Sequence, residues 1–191
     1  MQSELSSWQQ EKLGFLFDLF DNNGDGRLEE NELFTVVDRL WLETGWPENS
    51  RVVRHVQSRW KAMTASLFRE RSSLTREHWL EALAQILSRD RENRVKAESY
   101  RGPVEEFAQM LFMLLDRDRN GEIALEEFLL LFYAIGQRDE EAEEIFQRLD
   151  LDGDGALSKR EIEDLALEFF HSPKPGNSGD WLFGPLGKTH S

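Results

Sequence analysis

Oxygen-bearing side chains recur at one fixed spacing in three twelve-residue stretches of this 191-residue chain: Asp21 to Glu32, Asp116 to Glu127 and Asp150 to Glu161. Positions 1, 3 and 5 are Asp21, Asn23 and Asp25 in the first, Asp116, Asp118 and Asn120 in the second, and Asp150, Asp152 and Asp154 in the third. Position 6 is Gly26, Gly121 or Gly155, where a sharp turn at positive φ suits a residue without a Cβ. Position 7 (Arg27, Glu122 or Ala156) would offer its backbone carbonyl. At position 9, Glu29 or Ser158 can reach an ion directly or through water, whereas Ala124 leaves water alone. Position 12 is always glutamate: Glu32, Glu127 and Glu161. Single oxygens at alternate positions, closed by a bidentate carboxylate, suit a hard cation with about six to eight ligands, which is calcium rather than octahedral magnesium. Plain acidic turns account for one part of this pattern, because Ser158 with Glu161 also spells a capping box. They do not account for three repeats of one spacing.

Each stretch resembles the loop of an EF-hand, a helix-loop-helix unit, and the flanking residues agree. Leu13, Leu16, Phe17 and Phe20 precede the first loop, and Leu33, Val36, Val37 and Leu40 follow it. Around the second are Ala108, Leu111, Phe112 and Leu115, then Phe128, Leu131, Phe132 and Ile135; around the third are Ala142, Ile145, Phe146 and Leu149, then Ile162, Leu165, Ala166 and Phe169. Spacings of three and four put each quartet on one helical face, a core stripe. Such loops pair through position 8, here Leu28, Ile123 and Leu157, so three of them imply a fourth. Leu74, 46 residues beyond Leu28, supplies it within Leu67–His78. Trp79, Ala82, Leu83 and Ile86 follow it, and Val53, Val56, Trp60, Met63 and Leu67 precede it at offsets that suit a loop one residue short. Arg69, Arg71 and His78 stand where ligands belong, and positive charge there repels a cation. Three calcium ions are therefore expected, with magnesium as their competitor and none at Leu67–His78.

The implied architecture is all-α: four EF-hand units in two packed pairs, with the second loop degenerate. Residues 1–89 form the first pair, 90–102 a linker, 103–171 the second pair and 172–191 a tail. Helices are expected over Leu5–Phe20 and Glu30–Thr44, from Pro47, which suits a first helical position, over Thr75–Ser88, and from Pro103. Gly136 closes the sixth, Asp139–Glu141 open the seventh with carboxylates that complement the dipole, and the last ends near His171. In the tail, Trp181, Leu182, Phe183 and Leu186 are too apolar for water, so it is expected to fold back between the pairs.

Composition narrows the function. With 39% hydrophobic residues and 13 Phe the chain can bury a sizeable core, and the absence of Cys excludes disulfide and thiolate chemistry. Met1–Leu5 has no signal-peptide pattern, Gln2 excludes the myristoylated glycine, and no stretch approaches the ~18 apolar residues of a membrane span. A net charge of −14 disfavours nucleic acid. A cytoplasmic monomer is the expectation. Without metal the crowded carboxylates repel, so binding energy should appear as folding stability. Residues 51–101 run against the overall charge, with 12 Lys or Arg and 6 Asp or Glu. They read as a solvated helix face and charged linker; a sharper reading has them dock on the acidic remainder through Arg54, Arg59 and Arg94.

Active loops one, three and four, a degenerate second, 46 residues between position-8 residues in the first pair against 34 in the second, and an aromatic tail resemble the sarcoplasmic calcium-binding proteins and calexcitin. That resemblance implies a soluble calcium buffer or, alternatively, a sensor that exposes an apolar groove to a protein target. Only Met1, Met63, Met110 and Met113 are present, and the tail can fill a groove, which favours the buffer. The plan also resembles coelenterazine-dependent photoproteins and luciferin-binding proteins, a remoter alternative. Those need clusters of His, Trp and Tyr around a ligand and, in photoproteins, a C-terminal proline. Here Leu13 and Leu16 line the first helix, Phe169 and Phe170 the last, Tyr occurs only at 100 and 133, and the last residues are Lys188 to Ser191. His55, His78 and His171 read as surface or core residues. No nucleophile-and-base pair is found, so no enzyme is expected.

Overall fold

Ser6 opens the first helix of the computed structural model, which describes residues 5–47, 49–97, 99–137 and 141–186. The described elements are α1 (Ser7–Phe20), β1 (Arg27–Glu29), α2 (Glu30–Thr44), α3 (Arg51–Phe68), β2 (Ser73–Thr75), α4 (Arg76–Lys96), α5 (Pro103–Leu115), β3 (Glu122–Ile123), α6 (Leu125–Ala134), α7 (Ala142–Leu149), β4 (Leu157–Ser158) and α8 (Lys159–His171). The strands pair antiparallel, β1 with β2 and β3 with β4, in a register that sets Leu28 against Leu74 and Ile123 against Leu157. All four of those side chains are fully buried. The fold is all-α, with helix-loop-helix units joined two by two. Among the described residues no helix is long and apolar enough to cross a membrane.

Several element ends differ from the sequence expectation, each for a local reason. α1 starts at Ser7 rather than Leu5, because the Ser6 hydroxyl accepts the Gln9 N–H and the Gln9 side chain accepts the Ser6 N–H. α3 starts at Arg51, capped by the Ser50 hydroxyl, which leaves Pro47 in the connection. α4 runs on to Lys96, past Ser88, because Asp90 and Arg94 pair one turn apart at 2.9 Å and Arg94 and Lys96 complement the dipole of the last turn. α3 also continues to Phe68, so its cap Arg69 stands five residues before Leu74, whereas Asp21 stands seven before Leu28. The second loop is thus shorter by two residues, not one. The expected start of the seventh helix at Asp139–Glu141 falls largely outside the described residues; α7 itself runs from Ala142.

The two pairs share one core. Phe20 packs on Trp60 and Trp79, Trp60 on Phe107, and Phe107 on Phe170 and Phe183, so an aromatic chain crosses from α1 to the tail. The tail turns through a short 3-10 helix, Ser178–Trp181, and buries Leu182 and Phe183. Its Asp180 accepts from Trp8 Nε1 at 3.2 Å and pairs at 2.9 Å with Lys12, whose side chain is 0% exposed. Gly179 packs so close to α8 that a Cβ there would lie 2.3 Å from the Leu165 carbonyl oxygen. Of the basic middle, Arg59 pairs with Glu106 at 3.3 Å and Arg94 with Glu105, both on α5, and Arg101 pairs with Glu163 at 3.0 Å. Arg54 instead donates to the Asn49 carbonyl.

Candidate metal centres

The three loops fold through one network, dictated by the side chains at positions 1, 3 and 5. Position 1 accepts from the N–H of the position-6 glycine: Asp21 from Gly26 at 2.9 Å, Asp116 from Gly121 at 3.3 Å and Asp150 from Gly155 at 2.9 Å. Position 3 accepts from the N–H of position 5: Asn23 from Asp25 at 2.8 Å, Asp118 from Asn120 at 2.9 Å and Asp152 from Asp154 at 3.2 Å. Position 5 accepts from the N–H of position 7: Asp25 from Arg27 at 2.9 Å, Asn120 from Glu122 at 2.8 Å and Asp154 from Ala156 at 3.0 Å. Backbone N–H groups therefore fix at least one oxygen of each of these side chains, and in the second and third loops the carboxylates are gathered. Carboxylate oxygens of Asp116, Asp118 and Glu127 lie within 4.8 Å of one another, as do those of Asp150, Asp152 and Asp154.

The position-12 glutamates sit in the first turn of the exiting helices and are held differently. Glu127 accepts from Arg117 N–H at 2.8 Å and from Ala124 N–H at 3.1 Å. Glu161 accepts from Leu151 N–H at 2.9 Å, from Ser158 N–H at 2.8 Å and from the Ser158 hydroxyl at 2.7 Å. Burial works to raise the Glu161 carboxyl, but the N–H and hydroxyl of Ser158 and the N–H groups of Leu151 and Asp152 outweigh it and hold the group below the usual carboxylate range. Ser158 is therefore committed to Glu161 as a cap, and Glu29 is exposed. Glu32 accepts from Glu29 N–H through one oxygen only; its other oxygen is buried without a hydrogen-bond partner, and so is one oxygen of Asp116. Buried, unpaired carboxylate oxygens are costly, and a cation in the ring would satisfy them. The donor set fits calcium: hard oxygens only, with a carboxylate at position 12.

The loop between α3 and α4 has no such ring. Arg69 caps α3 at φ 53 and donates to Gln85, and Arg71 is exposed. Thr75 caps α4 by accepting the His78 N–H at 3.3 Å. Arg27 of the first loop donates to the Ser73 hydroxyl at 3.0 and 2.7 Å, so the second loop braces the first. That brace escaped sequence reading, since nothing in the spacing links residues 27 and 73. Position 4 also went unread: Gly24, Arg119 and Gly153 are all left-handed there, and the Gly-x-Gly pattern of the first and third loops was its signal.

Sequence families agree with this geometry. The EF-hand domain pair matches residues 105–167 and, in a second form, residues 74–135, and the EF hand matches residues 16–37. The chain is an EF-hand protein. It binds calcium. Mitrocomin of Mitrocoma cellularia is 23% identical over 171 residues, covering 88% of this chain and 84% of its own. Calcium-loaded apo-aequorin from Aequorea victoria superposes with a TM-score of 0.72 at 21% identity, over 87% of this chain and 93% of that one. Magnesium-loaded apo-berovin, a light-sensitive ctenophore photoprotein in which all three calcium-binding loops bind magnesium, superposes with a TM-score of 0.69 at 23% identity, over 83% and 86%. These likenesses establish the fold. These relatives are photoproteins, not the sarcoplasmic calcium-binding proteins suggested by the tail and the loop spacing.

Proposed function

We propose that this EF-hand protein is a calcium buffer working as a cytoplasmic monomer, in the manner of the sarcoplasmic calcium-binding proteins. It takes three ions, at 21–32, 116–127 and 150–161, with magnesium as competitor, and none at 67–78. Asp21, Asn23, Asp25 and Glu32 would hold the first, Asp116, Asp118, Asn120 and Glu127 the second, and Asp150, Asp152, Asp154 and Glu161 the third. When bound, the ion supplies the positive charge that offsets the crowded carboxylates. Backbone N–H groups fix those carboxylates beforehand, and the paired strands hold each loop against its neighbour.

The observation that carries the buffer reading is Phe183. It is 4% exposed and packed on Phe107 and Phe169, so the chain's own tail fills the space that a sensor would open to a target. Calorimetric titration with calcium, with and without millimolar magnesium, tests the count: three sites support the reading, and an ion retained after E32Q, E127Q and E161Q are combined would overturn it. A hydrophobic dye that brightens on calcium addition would favour the sensor.

The photoprotein relatives support a second reading, in which the interior holds a luciferin. An apolar cavity of about 100 Å³ lies between the pairs, lined by Trp60, Trp79, Phe107, Phe170 and Phe183 among others. It is smaller than the ~300–1,000 Å³ usual for ligand pockets. Its indole N–H groups are spent on the Leu33 and Leu13 carbonyls, and its two hydroxyls donate to backbone within α3. Light emission on mixing with coelenterazine and calcium would establish this reading instead.

A further inference from the structure

Position 4 turns left-handed in all three calcium loops, at Gly24 (φ 68), Arg119 (φ 61) and Gly153 (φ 75). Glycine adopts that conformation freely, and a side chain resists it. Arg119 therefore stands at a position where the other two loops use glycine, and its surroundings supply a reason. Its guanidinium lies over the ring of Trp46, 4.7 Å from the centroid, a stacking geometry that attracts a cation.

Trp46 belongs to the other half of the molecule, in the elbow between α2 and α3. The elbow is fixed from several sides. Gly45 ends α2 at φ 68, the Trp46 carbonyl accepts from Trp41 Nε1 at 2.7 Å, and Trp46 Nε1 donates to the Leu114 carbonyl at 3.1 Å. Leu114 lies in the last turn of α5, where carbonyls have no partner within the helix, two residues before Asp116. Arg117 approaches as well: a Cβ built on Gly45 would lie 3.6 Å from its guanidinium. Positions 2 and 4 of loop 116–127 thus both reach the elbow, and the elbow caps the helix that enters the loop. The first loop has Asn22 and Gly24 at those positions, and the third has Leu151 and Gly153.

We propose that Arg119 and Trp46 form a coupling contact that positions loop 116–127 and links its calcium occupancy to the first EF-hand pair. The proposal rests on the reading of loop 116–127 as a calcium site. Both residues are positioning residues and neither is a ligand. Linkage is reciprocal, so filling either side changes the affinity of the other by one common factor, typically about 5- to 150-fold.

The test uses the full chain labelled with 5-fluorotryptophan. Its Trp46 resonance is assigned with W46F and followed by ¹⁹F NMR during calcium titration, beside calorimetry. The Trp46 resonance is expected to move as loop 116–127 fills, and to stay still in E127Q. R119G keeps the left-handed turn, so it should fold and still bind at that loop. It is expected to abolish the Trp46 response and to reduce the coupling between the pairs at least about fivefold, while R119K, which keeps a cation over the ring, retains part of both. Were Arg119 merely a strained residue, R119G would tighten the site and leave the Trp46 response intact, and that result overturns the proposal. A Trp46 resonance that ignores calcium while calorimetry counts an ion at loop 116–127 overturns it too. If E127Q takes as many ions as the parent chain, the site reading itself has failed, and the proposal fails with it.

Discussion

Glu32, Glu127 and Glu161 share one position but not one environment. Both oxygens of Glu127 and Glu161 are tied to backbone donors, whereas Glu32 keeps one buried oxygen without a partner. Each Glu→Gln change should lower the calorimetric count by one ion, with a loss at that site at least as large as the about 10- to 100-fold seen when supporting groups are lost. In calcium-free buffer the three should part company. E32Q should melt no lower than the parent chain, because it removes an unpaired buried charge, while E127Q and E161Q should melt lower. A second residue-scale expectation concerns His171, which lies 2.6 Å from buried Asp90. Burial lowers its proton affinity most, Asp90 raises it, and Arg94 and Arg91 lower it, leaving it below the value of 6.5 usual for histidine. Such a group is neutral in the fold and takes a proton on unfolding. Its contribution is complete above about pH 6.5 and is lost as the pH falls from there through the folded-state value. Denaturant titrations in chelator at pH 7.5 and 5.5 should show a shallower decline for H171Q than for the parent chain.

At the scale of elements, the second hand, proposed to hold no ion, matters through its strand. Leu74 binds no ion, yet it faces Leu28 across β1 and β2, and both are fully buried. L74A should cost about 2–5 kcal/mol by denaturant unfolding, and it should weaken calcium binding at 21–32 although no ligand is touched. Unchanged affinity at that loop would show that the strand pair carries fold alone. The helices around it were legible in part. Apolar stripes at Leu13, Leu16, Phe17 and Phe20 placed α1 on the core, but Ser6 and Gln9 decided where it begins. α4 runs past Ser88 to Lys96 because Arg94 finds Asp90 one turn back and Glu105 on the next helix. A window of polar residues reads as linker until those partners are known.

For the molecule as a whole, the tail is the decisive piece. Lys12 is completely buried, and its ammonium meets Asp180 and the Glu168 carbonyl. K12M leaves Asp180 buried without its counter-ion, a change worth about 3–5 kcal/mol, so thermal stability should fall and protease should trim the tail faster. Equal trimming of K12M and the parent chain would mean that Leu182 and Phe183 hold the tail by themselves. Calcium acts on the same balance, since an ion that binds only the folded chain stabilises it by about 4 kcal/mol per site at a thousandfold excess over Kd.

The sequence by itself determined the four helix-loop-helix units and the repeated spacing of oxygen-bearing residues in three loops, because calcium chemistry demands fixed residue types within twelve consecutive positions and helix periodicity is equally local. It also placed the fourth loop, since Leu74 keeps the position-8 role opposite Leu28. Only the tertiary structure decided which residues join distant parts: Lys12 to Asp180, Arg27 to Ser73 and Arg119 to Trp46. Each contact depends on how whole helices cross. Helix packing is set by summed shape and burial rather than by any short motif, so no local spacing announces which charge or ring will meet which.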